Sequence, residues 1–230
     1  MKRVIFLCVG IFFLLVCMRW NCSARGKNES FSFVIDAALS TDCYSALNHE
    51  FSASVQKNSA DADIITSIKK TFSVVKSISI AYCPSGALVK IVAHKPVLIV
   101  NDLFVMADNN ELFARSFFSD YSLAGLPCVS VAQESMSEII CLLPDLLRTL
   151  PEDFTVTYDV YCIDKNCIKL TDKNNSQFTI IFSADQSISE SIFAHCEKVK
   201  KNIMGQGSFD KGALWAADIR FANYIVAYKV

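Results

Sequence analysis

The sequence predicts an α+β protein: one hydrophobic segment at the N-terminus, a small mixed layer of strands and helices, then a larger, mainly antiparallel β region with flanking helices. Three observations carry this. Residues 4–18 are apolar without interruption, apolar residues recur at helical spacing in a few separate stretches, and past Pro96 short apolar runs follow one another between turn-forming residues.

Met1-Lys2-Arg3 precedes the apolar run and Arg19 ends it, the pattern that an export machine reads. At about 1.5 Å per residue the run reaches roughly 22 Å, against a hydrocarbon core of about 30 Å. That length suits a cleaved signal, and Cys22-Ser23-Ala24 offers the small residues a signal peptidase needs. It is short for an uncleaved anchor, which the run can form with Trp20 at the interface and Arg19 reaching the headgroups. The expectation is a short tail and signal-anchor over residues 1–20, in contact with the lipid bilayer through residues 4–18, and a polar linker over 21–30.

The net charge is −1 and no basic stripe stands out, so a nucleic-acid partner is not indicated. The mean hydropathy of +0.33 is raised by the N-terminal run and by 17 Phe, and does not argue for further spans. Ten cysteines are present, of which Cys8 and Cys17 lie in the apolar run. Cys162 and Cys167 flank a tight hairpin loop and are candidates for a disulfide in an oxidising compartment. The alternative is that such thiols are small buried hydrophobes.

Along the chain, Ser32 to Ala38 reads as a strand and Ser45 to Phe51 as a short helix. Ile64, Ile65, Ile68 and Phe72 lie at helical spacing behind Asp61, a candidate N-cap. Ile78, Ile80 and Tyr82 alternate with small residues, Pro84-Ser85-Gly86 turns, and Leu88 to Ala93 returns as a hairpin. Strands are expected at Val97 to Val100, Leu103 to Ala107 and Leu112-Phe113. A helix from Ser135 to Leu143 has the Ser135/Glu138 capping-box spacing, with a break or a new first turn at Pro144. Phe154, Val156, Tyr158 and Val160 alternate as a strand, followed by strands at Ile168 to Leu170 and Phe178 to Phe182. Ser187 and Glu190 repeat the capping spacing before the stripe Ile188, Ile192, Cys196, Val199 and Ile203. Strands over Leu214 to Phe221 and Tyr224 to Val230 close the chain as a hairpin.

No spacing proposes a nucleophile with its base, and the histidines His49, His94 and His195 sit in unrelated contexts. Gly205-Gln206-Gly207-Ser208 is neither a phosphate loop nor a nucleophile elbow. His195, Cys196 and Glu197 are consecutive, so on a helix they point about 100° apart and do not share a metal ion. Three Asn-x-Ser sequons occur, at Asn21, Asn28 and Asn174.

Three stretches together resemble the FtsQ/DivIB family of bacterial cell-division proteins. Ile64-Ile65 through Ile80, running on into Val92-Ala93-His94-Lys95-Pro96, is similar to the helix and hairpin of that family's POTRA domain. Val105-Met106-Ala107-Asp108-Asn109-Asn110-Glu111-Leu112-Phe113 and then Leu126-Pro127 resemble an Asp-x-Gly turn before a Phe and a Leu-Pro pair, with Asn110 in place of Gly. Trp215-Ala216-Ala217-Asp218-Ile219-Arg220-Phe221-Ala222-Asn223 resembles the closing Asp-x-Arg-Tyr/Phe signature, with Phe221 in place of Tyr and Tyr224 in place of a frequent Gly. The resemblance implies a POTRA-like domain over 31–95 and an FtsQ-like β domain over 96–230.

It further implies a non-enzymatic scaffold of the septation machinery, single-pass in the bacterial inner membrane, with its C-terminal domain outside the cytoplasm and without metal, cofactor or small-molecule substrate. The last strands would offer an edge to a small coiled-coil division partner of the FtsB/FtsL type, with Arg220, Phe221, Asn223, Tyr224 and Val226 at or beside it. The competing expectation is a cleaved periplasmic or secreted, disulfide-containing, ligand-binding domain.

Overall fold

The computed structural model describes residues 31–57, 60–83, 86–150, 154–186, 190–205, 213–221 and 225–230, so the hydrophobic segment 4–18 and the linker fall outside the described residues. Among the described residues, no helix is long and apolar enough to cross a membrane. The chain divides into two compact units, one holding residues 31–36 and 48–92 and the other 37–47 and 93–230.

In the first unit, β1 (Phe31–Ile35), β2 (Val75–Cys83) and β3 (Gly86–Ala93) form a sheet in the order β1-β3-β2, with β1 parallel to β3. Alternation along β3 buries Ala87, Val89, Ile91 and Ala93 and leaves Leu88 and Lys90 in solvent. Helix α1 (Thr41–Gln56) is much longer than its apolar pattern suggests, and the division between the units falls within it. From its second half Phe51, fully buried, meets the rings of Phe31 and Phe33 edge-on at 5.3 and 5.4 Å. Helix α2 (Asp61–Thr71) buries Ile64 and Ile68. Its N-cap is Ala60 rather than Asp61, because the Asp61 carboxylate accepts the Tyr82 hydroxyl at 2.8 Å and pins the helix start to β2. Strand β1 ends before Asp36, whose N–H donates to the Ile91 carbonyl.

The second unit is built on β4 (Pro96–Val100), β5 (Phe104–Ala107), β6 (Leu112–Ala114), β7 (Cys128–Val131), β8 (Tyr158–Asp164), β9 (Cys167–Asp172), β10 (Phe178–Phe182), β11 (Trp215–Asp218) and β12 (Val226–Lys229). They join in the order β12-β11-β10-β9-β8-β7-β4-β5-β6. Most neighbours are antiparallel, but β4/β7, β7/β8 and β10/β11 run parallel. Parallel neighbours need a crossover. Helix α3 (Asp120–Leu123) lies on the first, α4 (Met136–Thr149) makes the second, and α6 (Glu190–Gly205) makes the third. The β7-to-β8 and β10-to-β11 crossovers step the same way across the sheet from strands of the same direction, so crossovers of one hand put α4 and α6 on one face. Ile139, Leu143 and Leu146 of α4 and Cys196 of α6 accordingly share a core with Val160, Leu170 and Ile180 of the sheet.

Three local expectations are corrected here. Helix α4 runs through Pro144 to Thr149 instead of breaking. The ring removes one backbone bond at about 3 kcal/mol, but Leu143, Leu146 and Leu150 on either side are all buried, and their packing holds the turn. Ser135 sits at the N-cap without a side-chain bond, because it ends a 3-10 turn with φ −101° and ψ 2° rather than the extended backbone of a capping residue, and the Glu138 side chain reaches Lys165 at 3.0 Å. Residues Phe154–Thr157 form a helical turn, α5, rather than strand. Phe154 and Tyr158, one turn apart, are both buried while Val156 is 74% exposed, which alternation would forbid. The proposed cap Ser187 lies outside the described residues.

Candidate functional site

The C-terminal hairpin begins with β11, parallel to β10 and buried where Ala216 and Ala217 let the backbone approach closely. The N–H groups of Trp215 and Ile219 donate to the Gln177 and Ile181 carbonyls, so odd-numbered residues of β11 face β10. Strand β12 is the last in hydrogen-bonding order, and all four of its residues are exposed. Val230 N–H donates to the Leu214 carbonyl at 2.8 Å, and the register sets Tyr228 opposite Ala216 and Val226 opposite Asp218. Antiparallel pairs alternate between bonded and non-bonded. The backbone groups of Val226, Tyr228 and Val230 therefore turn toward β11, and those of Ala227 turn away from it, out of the sheet.

Side chains add apolar area beside this edge. Val226 is 42% and Tyr228 38% exposed, on the sheet face away from α4 and α6, and Phe221 is 54% exposed. Of the residues expected at the edge from the sequence, Val226 lies on the strand itself and Phe221 lies past the end of β11. Asn223 and Tyr224 lie outside the described residues. Tyr228 was not anticipated, although the pairing Val226/Tyr228 is the period-2 signal of one strand face.

Arg220 is otherwise occupied. Its Nε donates to both Asp218 carboxylate oxygens at 2.9 and 3.2 Å and its Nη2 donates at 2.6 Å, while Nη1 reaches the Asn166 carbonyl at 3.4 Å. The Arg220 guanidinium holds the Asp218 carboxyl below its ordinary range, against the effect of burial, and is itself pushed up by that carboxylate.

The expected Cys162–Cys167 bridge is not formed, and both thiols are free. Cys162 stands opposite Ile168 with its side chain in the core, so Cys167, one residue from Ile168, projects to the other face. Burial pushes the Cys162 thiol up to about 12, and those of Cys43 and Cys196 to about 11, so these behave as small apolar side chains.

A buried polar cluster escaped the sequence reading because its members are far apart in the chain. The Tyr158 hydroxyl donates to Glu197 Oε1 at 2.6 Å, and Lys200 Nζ donates to Glu197 at 3.3 Å and to Asp172. Burial pushes Asp172 up, but Lys200 and the amides of Asn174 and Asn175 outweigh it and leave the carboxyl below its usual range. Burial lowers Lys200, and Asp172 with Glu197 more than restores it. Burial and Glu197 both raise Tyr158. With the phenol neutral and the amine charged, the cluster ties α6 to β8 and β9. Elsewhere His94 Nδ1 pairs with Asp108 at 2.9 Å and its ring stacks on Phe113, joining two of the stretches that carry the family resemblance. Among the described residues, no group of three or more His, Cys, Asp or Glu is arranged to hold a metal ion.

No family model matches this chain, and no curated protein does.

Proposed function

We propose that the protein is a non-enzymatic, single-pass membrane scaffold of the septation machinery, of the FtsQ/DivIB kind, that receives a strand from a small FtsB/FtsL-type partner on the edge of β12. One observation carries the reading: β12 ends a nine-stranded sheet with all its residues exposed and the Ala227 backbone directed outward. An extended segment laid there gains backbone hydrogen bonds for affinity and the Val226/Tyr228 side for selectivity. The order of elements supports it too. A strand, two helices and two further strands over residues 31–93, the POTRA-like portion, precede a large sheet that closes in a hairpin. Cys162 and Cys167 are free thiols, so this pair does not supply a disulfide for the secreted-domain alternative.

Co-expression with an FtsB/FtsL-type pair tests the reading. Wild-type chain is expected to co-purify with the pair, and replacing Tyr224 and Val226 together by Lys is expected to abolish capture without shifting thermal unfolding. Capture that survives the double replacement would sink the proposed edge. Intact-mass analysis tests the anchor: a mature chain beginning at Arg25 would count against a membrane scaffold.

A further inference from the structure

The Asp218–Arg220 pair sits where β11 gives out. Asp218 is only 2% exposed and stands in register between Ile181 on β10 and Val226 on β12. Residues two apart on a strand share a face, so an arginine at this spacing folds back over the aspartate as the strand ends. Besides the three guanidinium contacts, the Arg220 N–H donates to Asp218 Oδ1 at 3.1 Å, which tightens the backbone into a turn on the carboxylate. A buried carboxylate that loses its counter-charge is driven toward water. Drawing Asp218 out would displace Val226, its bonded partner on the edge strand.

We infer that Arg220 is a positioning residue: engaged by Asp218 and the Asn166 carbonyl, it fixes the end of β11 and with it the register of β12. The inference rests on the proposed function only in taking β12 as the working edge. Its readout needs no partner, so the two can fail separately.

The test is amide hydrogen exchange of the full chain in mild detergent, comparing the segment 225–230 with 178–182 of β10. Arg220→Ala is expected to speed exchange in 225–230 by at least about tenfold and to leave 178–182 unchanged, because a broken buried pair releases its own neighbourhood first. Asp218→Asn is expected to speed the same segment, and the double variant to go no further than the larger single effect, since both remove one interaction. Arg220→Lys restores only part of the protection, as an ammonium lacks the planar fork. If Arg220→Ala loosens the whole sheet, Arg220→Lys and Asp218→Asn carry the comparison. Unchanged exchange in 225–230 in these variants, or strictly additive effects of the pair, would overturn the inference.

Discussion

Asn101 shows how much one residue does in this sheet. Asn101 and Asp102 have φ of 52° and 56°, and Leu103 N–H closes on the Val100 carbonyl, so a turn with two left-handed residues opens the three-residue connection between β4 and β5, which pair Val100 with Phe104. The Asn101 amide also donates to the Val131 carbonyl at 2.9 Å and accepts the Val131 N–H at 2.6 Å, extending the pairing of β4 with β7. Asn101→Gly keeps the turn and loses the two bonds, whereas Asn101→Ala loses both features. In urea titrations Gly is expected to destabilise by about 1–2 kcal/mol and Ala by about 1 kcal/mol more; equal losses would contradict the turn's contribution. Asn110 is a parallel case. It has φ of 63° in the β5–β6 hairpin, at the position where the resembled family has Gly, and Asn is the side chain that best tolerates that backbone. The turn residues were legible in the sequence because their constraint is local.

At the scale of elements, legibility followed the range of the forces. The stripe of α6 and the runs of β9 and β10 were readable from their own periodicity, and the structure has a helix and two strands there. Strand β7, four residues between a Leu-Pro pair and a helix, was not, since its parallel partners β4 and β8 lie far away in sequence. The turn at Phe154 and the unbroken α4 were missed because core packing overrode local preference. The cluster that fastens α6 has a defined pH signature. Asp172 lies below its ordinary 3.8, so its contribution is complete above that value and is lost as pH falls through the lowered value. Lys200 lies above 10.5, so its contribution is complete below that value and is lost as pH rises through the raised one. Lys200→Met leaves a buried carboxylate unpaired and is expected to destabilise by about 3 kcal/mol at neutral pH. The deficit should shrink in acid as Asp172 protonates, and thermal unfolding between pH 3 and 8 checks it. A deficit independent of pH would mean the cluster does not fasten the helix through charge.

For the whole molecule, the sheet has two ends that differ in kind. One is β6, three residues long, the sort of short edge that discourages further pairing. The other is β12, one residue longer and exposed along its length. That the chain ends in a hairpin was legible; that the hairpin lies at the sheet's border was not, because strand order depends on pairings across the whole domain. The central claim is that this border accepts a strand through its backbone. Ala227→Pro tests it directly, since proline removes the outward N–H at the middle of β12 while the inward bonds of Val226, Tyr228 and Val230 remain, and an edge strand accommodates it. Co-purification of this variant with the FtsB/FtsL-type pair is expected to fall to background while its thermal unfolding matches wild type. Capture at the wild-type level would contradict the claim.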